Sequence, residues 1–243
     1  MRRRSAGGGG GKGGGTTSSN PGGYVGNQFS DDPTRNLEDE LKKLQGMYGA
    51  GNPQFDQALD AVASRLEAAG IAIHHIDFGG GLGINYNGDT PPAADELWAL
   101  LLAKLDARGY GQRQLMIEPG RSLVGNAGVC LTEVQYIKPG EQKNFCIVDA
   151  AMNDLPRPAM YEAFHQIVPV SARTGETVTY DVVGPVCESG DWLGRDRQLT
   201  VQAGDLLAVL STGAYCMAMS SNYNTRGRAA EILVDGTRAH VIR

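Results

Sequence analysis

Between residues 53 and 125 the apolar positions fall into two patterns, a helical stripe and a short run, and the two alternate. Phe55, Leu59, Val62 and Leu66 form one stripe behind Asn52-Pro53, an N-cap followed by the residue best suited to a first helical position, and Gly70 ends it. Leu97, Leu101 and Leu105 repeat in the same register between Pro92 and Gly109 and predict a second helix. Residues 71–78 are apolar and short enough for a buried parallel strand, and residues 115–117 start another. Helix, strand, helix, strand predicts βα units, and so parallel α/β structure over residues 53–125.

From Gly128 the rhythm changes to short β-rich segments at residues 129–138, 144–149, 177–183, 205–210 and 229–234. Pro139-Gly140, Gly204-Asp205 and Asp235-Gly236 supply turns between them, so residues 126–243 are expected to form an antiparallel β domain. Upstream, Leu37, Leu41 and Leu44 recur among charged residues as a short helix ended by Gly46. Residues 1–52 make a third region. Ten of the 34 glycines fall in the first 23 residues, and Val25 is the one branched aliphatic side chain before residue 28. Such a segment buries too little apolar surface to offset its ordering entropy, and a disordered arm is expected.

Composition removes several classes of function. Arg2, Arg3 and Arg4 are not followed by the apolar segment of a signal peptide, and no apolar run reaches the length of a membrane span. The expectation is a soluble, cytoplasmic protein without a membrane partner. Cys130, Cys146, Cys187 and Cys216 lack zinc-type or C-x-x-C spacing, which argues against a disulfide framework or a metal site. A net charge of −5 without a basic stripe gives nucleic acid little to bind, leaving a small molecule as the expected partner.

Five segments carry candidate chemistry. Gly79-Gly80-Gly81-Leu82-Gly83 follows the first strand, where glycine lets backbone N–H groups approach a phosphate, although a glycine cluster there is more often a plain tight turn. Glu118-Pro119-Gly120-Arg121 follows the second strand, and Arg121 could clamp a carboxylate or phosphate; taken singly it is more often a surface arginine. Two loops after consecutive strands open on one face and converge on one anion. Arg157 and Tyr161 lie four apart around Pro158, so a helical turn there lets both face one pocket, against a solvated arginine and a half-buried tyrosine. Val183-Gly184-Pro185-Val186-Cys187-Glu188-Ser189-Gly190-Asp191 places a thiol beside a carboxylate in a turn. A free cysteine is usually a small buried hydrophobe, but Glu188, Ser189 and Asp191 make burial of Cys187 unfavourable, and a tuned thiol transfers protons. Tyr215 stands among small residues in Gly213-Ala214-Tyr215-Cys216-Met217-Ala218-Met219-Ser220-Ser221-Asn222-Tyr223-Asn224, as a ligand contact or a core aromatic. Cys130, Cys146 and Cys216 read as packing residues, and His165 has no assigned role.

In this order the five segments resemble meso-diaminopimelate decarboxylase, a pyridoxal-phosphate enzyme of the alanine-racemase-like fold type, over residues 53–243. The resemblance implies the last βα units of a (β/α)8, or TIM, barrel followed by a β-sandwich or barrel-like domain. It implies a lyase of lysine biosynthesis that removes carbon dioxide from meso-diaminopimelate to leave L-lysine. Gly79, Gly80, Gly81, Glu118, Pro119, Gly120 and Arg121 would bind the phosphate of pyridoxal 5′-phosphate, with Tyr215 contacting both cofactor and substrate. Arg121, Arg157 and Tyr161 would hold the substrate, Glu188 its distal ammonium, and Cys187 would donate a proton. In the family, Cys187 and Glu188 act across a homodimer interface.

The family also carries, on an early barrel strand, a Schiff-base lysine in an aromatic-Ala-x-Lys-Ala setting, and a histidine that stacks on the cofactor ring. None of Lys12, Lys42, Lys43, Lys104, Lys138 and Lys143 has that setting. A truncated or N-terminally replaced member, inactive alone, is therefore expected. Its rivals are a non-catalytic fragment that pairs with an intact homologue, and another basic-amino-acid decarboxylase. Co-purification with a full-length partner and the identity of the diamino acid consumed distinguish them.

Overall fold

The computed structural model describes residues 53–243, with side chains from Asp60 onward; the expected arm and the helix over residues 37–44 lie outside the described residues. Helix α1 (Pro53–Ala68) buries Val62 and Ala63. Strand β1 (His75–Asp77) pairs in parallel with β2 (Gln114–Met116), with Ile76 opposite Leu115, across the connecting helix α2 (Ala94–Ala107). Glu96 accepts the Ala93 N–H at the start of α2 (3.3 Å), and Leu101 and Leu105 turn inward. Ala63, Leu105 and Tyr110 form a small core onto which Ile73, Ile76, Phe78 and Leu115 pack.

The expected buried strand over residues 71–78 is shorter and more open. Only three residues pair, His75 is exposed, and Ile71 keeps 38% of its surface. Among the described residues β1 has one hydrogen-bonded neighbour, so its other edge and part of its apolar face lack cover.

After the short helix α3 (Gly120–Val124) the chain builds β3 (Cys130–Lys138), β4 (Asn144–Val148), helix α4 (Arg157–Tyr161), β5 (Ile167–Pro169), β6 (Val178–Val183), β7 (Trp192–Leu199) and β8 (Leu206–Val209). The strands form one six-stranded sheet in the order β5-β8-β3-β4-β6-β7. Its two end strands come into contact, which curls the sheet into a nearly closed barrel. Gly194 of β7 makes this approach possible, because a Cβ there would stand 2.9 Å from Ile167 Cδ1 of β5. A hairpin, β9 (Ile232–Asp235) and β10 (Arg238–Val241), turns at Gly236 with φ +57° and is exposed along both strands.

Alternate residues of the six strands fill the barrel. Val134, Cys146, Val148, Val182, Leu193, Leu207 and Val209 are fully buried. Burial pushes the Cys146 thiol up to about 12, in keeping with a packing residue. Leu207→Ala should cost about 2–5 kcal/mol, read as a drop in the urea midpoint.

The β region is not purely antiparallel as expected: β4 pairs with β6 in parallel, Cys146 opposite Val182. The chain between them leaves the sheet through α4, adds β5 at the far edge, and re-enters from the end where β4 began, which no hairpin could do. Strands β5, β7 and β10 had no sequence signal. Strand β7 reads Trp-Leu-Gly-Arg-Asp-Arg-Gln-Leu, and its polar run conceals an inward face formed by Leu193, Gly194 and Leu199. Among the described residues no helix is long and apolar enough to cross a membrane.

Candidate active site

The loops that follow β1 and β2 run side by side. Asp77 Oδ1 accepts the Gly79 N–H (2.7 Å), and the Gly79 carbonyl accepts the Glu118 N–H (2.6 Å). Gly79 and Gly81 have φ of +64° and +97°, and a Cβ on Gly80 would meet the Glu118 carbonyl oxygen at 2.5 Å. Only glycine lets the two backbones lie this close. Gly120 donates to the Glu118 carbonyl (2.9 Å), Ser122 Oγ to the Pro119 carbonyl (3.0 Å), and the turn delivers Arg121 on α3.

A second backbone crossing brings Tyr215 to Arg121. Thr212 N–H donates to Gly128 (2.9 Å) and Gly213 N–H to Gly125 (3.0 Å). A Cβ on Gly128 would lie 2.5 Å from Gly213 Cα, and one on Gly213 would collide with the Val124 carbonyl. Beyond this crossing Tyr215 takes φ +61°, and its ring lies 5.7 Å from the Arg121 guanidinium and 5.6 Å from that of Arg157. Arg121 Nε is buried and has no hydrogen-bond partner among the described residues.

Arg157 opens α4, with Pro158 at the start of the helix as expected. Its Nη1 donates to the Tyr86 hydroxyl (2.9 Å) and lies 3.1 Å from His165 Nε2. His165 Nδ1 is 3.0 Å from the Leu210 carbonyl, and its ring stands edge-on to Tyr86 with centroids 5.3 Å apart. Burial lowers the His165 pKa, and the nearby Arg157 and Arg197 charges add to this against the Leu210 bond. Folded His165 thus stays neutral where the unfolded imidazole protonates. Its stabilising contribution is complete above pH 6.5 and is lost as pH falls through the depressed folded value. Urea midpoints of the parent and of His165→Gln, compared from pH 7.5 to 5, should converge on the acid side.

The Cys187 turn hangs on a buried carboxylate. Asp191, only 4% exposed, accepts the Met152 N–H at Oδ1 (2.7 Å) and the Val186 N–H at Oδ2 (2.6 Å), and its own N–H donates to the Glu188 carbonyl (3.0 Å). Burial pushes its pKa up although these donors favour the charged form. Cys187 and Glu188 stand exposed at the tip, and Gly190 turns toward Ala159 of α4, where an added Cβ would lie 3.8 Å from the Ala159 Cβ. Tyr223 donates to Glu188 Oε2 (3.3 Å), and the Glu188 charge is the main cause that raises its phenol pKa. The Tyr223 segment is pinned from below. Ser221 N–H donates to the Asn153 carbonyl (2.9 Å), and Arg226 Nε donates to Asn153 Oδ1 (2.9 Å).

The structure therefore brings Arg121, Arg157 and Tyr215 together and sets the two glycine-bearing loops in contact. Tyr161 is 61% exposed, and no hydrogen bond joins it, Cys187 or Glu188 to Arg121, Arg157 or Tyr215 among the described residues. The four cysteines are free thiols, and Cys216 Sγ faces the Asp154 carbonyl at 3.2 Å.

The family model for the C-terminal sheet domain of pyridoxal-dependent decarboxylases matches residues 24–213. The chain belongs to that family. Among similar curated proteins, diaminopimelate decarboxylase of Vibrio cholerae is 52% identical over 183 residues, 75% of this chain and 43% of the relative. That of Pseudomonas aeruginosa is 50% identical over 201 residues, 80% of this chain and 48% of the relative. The decarboxylase-family chain thus spans about half the length of the curated relatives it matches. Among solved structures it is similar to diaminopimelate decarboxylase of Helicobacter pylori complexed with L-lysine (TM-score 0.69, 36% identity, 78% of this chain and 46% of that one). It is likewise similar to the enzyme from M. jannaschii (TM-score 0.70, 37% identity, 77% and 44%).

Three residues that order these loops of the decarboxylase-family chain escape a sequence reading. Tyr86, in Asn85-Tyr86-Asn87-Gly88, looks like turn chemistry, yet Asn126 Nδ2 holds the Asn85 carbonyl (3.0 Å) and Ser211 Oγ (2.7 Å), fixing the loop beside Arg157. Asp191 reads as one more polar residue of the turn but is its buried anchor. Tyr223 lies inside the segment quoted for Tyr215, and its position among asparagines marks no partner.

Proposed function

We propose that this chain carries the substrate-holding part of a diaminopimelate decarboxylase, which releases carbon dioxide from the D-centre of meso-diaminopimelate and leaves L-lysine. One observation carries the reading. Arg121 and Arg157 flank Tyr215, and the buried Arg121 Nε has no acceptor among the described residues, an arrangement that calls for an anion.

The residues present also fit a phosphate, since Gly81, at φ +97°, has open space where a Cβ would stand. N–H groups of Gly80 and Gly81, in the turn that Gly79 closes by donating to Asp77, with the Glu118, Pro119, Gly120 and Arg121 loop, would hold the phosphate of pyridoxal 5′-phosphate, and Tyr215 would lie against it. When bound, this cofactor withdraws the electrons left as carbon dioxide departs. Arg121, Arg157, Tyr161 and Tyr215 would orient a substrate carboxylate, Glu188 would pair with the distal ammonium, and Cys187 would hand a proton to the decarboxylated carbon. In this reading β1 and β2 are the last βα units of an eight-stranded barrel, the β domain begins near residue 126, and a second copy in a cytoplasmic homodimer brings its Cys187 turn to the site.

The described lysines suit substrate chemistry poorly. Lys104 lies within α2, Lys138 ends β3, and Lys143 is bound to Asp181 at 2.8 Å. The isolated chain is expected to release almost no carbon dioxide, and borohydride treatment with pyridoxal 5′-phosphate should label no lysine stoichiometrically. The reading is tested by equilibrium dialysis of the chain with L-lysine and with cadaverine, which lacks the carboxylate. Retention of L-lysine alone supports it, and equal retention of both sinks it.

A further inference from the structure

Arg157 is gripped at one nitrogen. Nη1 carries two hydrogens, and the Tyr86 hydroxyl and His165 Nε2, at 2.9 and 3.1 Å, are two acceptors for them. The tautomer of His165 is set from its opposite edge. The Leu210 carbonyl, 3.0 Å from Nδ1, only accepts, so Nδ1 bears the proton and Nε2 offers a lone pair. Among the described residues Arg157 Nε and Nη2 make no hydrogen bond. Those two groups form the side-on fork that matches both oxygens of a carboxylate. The Tyr86 and Tyr215 rings, 5.0 and 5.6 Å from the guanidinium, limit its tilt.

We propose that His165, as a neutral imidazole protonated on Nδ1, acts with Tyr86 as a positioning residue that turns the free fork of Arg157 toward the ligand carboxylate. This rests on the carboxylate site proposed above. A histidine suits the task because a lysine or arginine here would repel Arg157, and a carboxylate would neutralise it and compete with the ligand. The groups facing the imidazole are Arg157 from α4, Arg197 from β7, Tyr86 from the β1–α2 connection and the Leu210 carbonyl after β8; none is acidic. Protonation of Nε2 would turn the acceptor into a donor and set two cations about one hydrogen bond apart, so the grip exists only in the neutral ring.

Nitrogen NMR of the 243-residue chain tests this without turnover. The expected result at pH 7.5 is a His165 ring protonated on Nδ1 and slow exchange between the two Nη groups of Arg157. His165→Gln, which carries an acceptor near the place of Nε2, should retain the slow exchange, and His165→Phe should speed it about tenfold with the amide spectrum still native. Tyr86→Phe removes the other acceptor without touching the buried ring and should speed it as well. L-Lysine should bind His165→Phe about tenfold more weakly than the parent, with recovery in His165→Gln. A proton on Nε2, or Arg157 exchange unchanged in both phenylalanine variants, overturns the proposal, as does parental L-lysine affinity in His165→Phe. If the parent chain holds no L-lysine, the carboxylate site is what fails, and the tautomer and exchange measurements still decide the grip.

Discussion

Arg121→Met is expected to weaken pyridoxal 5′-phosphate binding about ten- to a hundredfold, by loss of charge-assisted hydrogen bonds, while leaving the thermal midpoint no lower than that of the parent. The two signs come from one atom. A buried donor without an acceptor costs about 1–3 kcal/mol in the ligand-free protein, and methionine removes that penalty while filling most of the same volume. Opposing it is the loss of the Arg121–Tyr215 contact, about 0.5–1 kcal/mol. A group kept at the expense of the empty protein is what a ligand site requires. Fluorescence titration with the cofactor and a melting curve on the same samples check both halves. A lower midpoint with unchanged binding would make Arg121 a structural residue.

Gly213→Ala should have the largest effect on the fold itself. The added methyl would overlap the Val124 carbonyl and reach the Gly128 nitrogen at 2.9 Å, and both obstacles are backbone. Separating the two segments would break the Gly213–Gly125 and Thr212–Gly128 hydrogen bonds. A cost of about 3 kcal/mol or more follows, and a fall of the thermal midpoint by roughly 6–12 °C for a chain of this size. Because this crossing joins the end of α3 to the Tyr215 segment, cofactor binding should fall further than in Leu207→Ala variants of equal stability. A midpoint within about 2 °C of the parent would mean that the two backbones can part at little cost.

That crossing also marks the limit of what the sequence discloses. Stripes such as Phe55, Leu59, Val62 and Leu66 reveal a helix because its period lies within a short window, and the parallel pairing of β1 with β2 follows from the intervening α2. Strand β7 stays hidden because its inward face has only two leucines and a glycine, and the parallel register of β4 on β6 is decided by a connection that local patterning does not encode. The site divides along the same line. Arg121, Arg157 and Tyr215 are legible as members of motifs, whereas their convergence depends on Gly128 meeting Gly213. Asp191 and His165 are visible as residue types, but their work depends on burial, which a polar turn and an isolated imidazole do not announce.

The seam between β5 and β7 bears on how this barrel moves. The Ile167 side chain lies against Gly194 there, while among the described residues β5 is laddered only to β8 and β7 only to β6. Among the described residues the peptide groups facing the slot have no cross-strand partner to lock them, so deuterium should enter residues 167–169 and 192–199 ahead of β3 and β4. His165 sits just before β5. Breathing of this slot would therefore swing the wall on which the imidazole is mounted, and a bulkier Gly194→Val, by wedging the slot ajar, should quicken exchange there before it melts the rest.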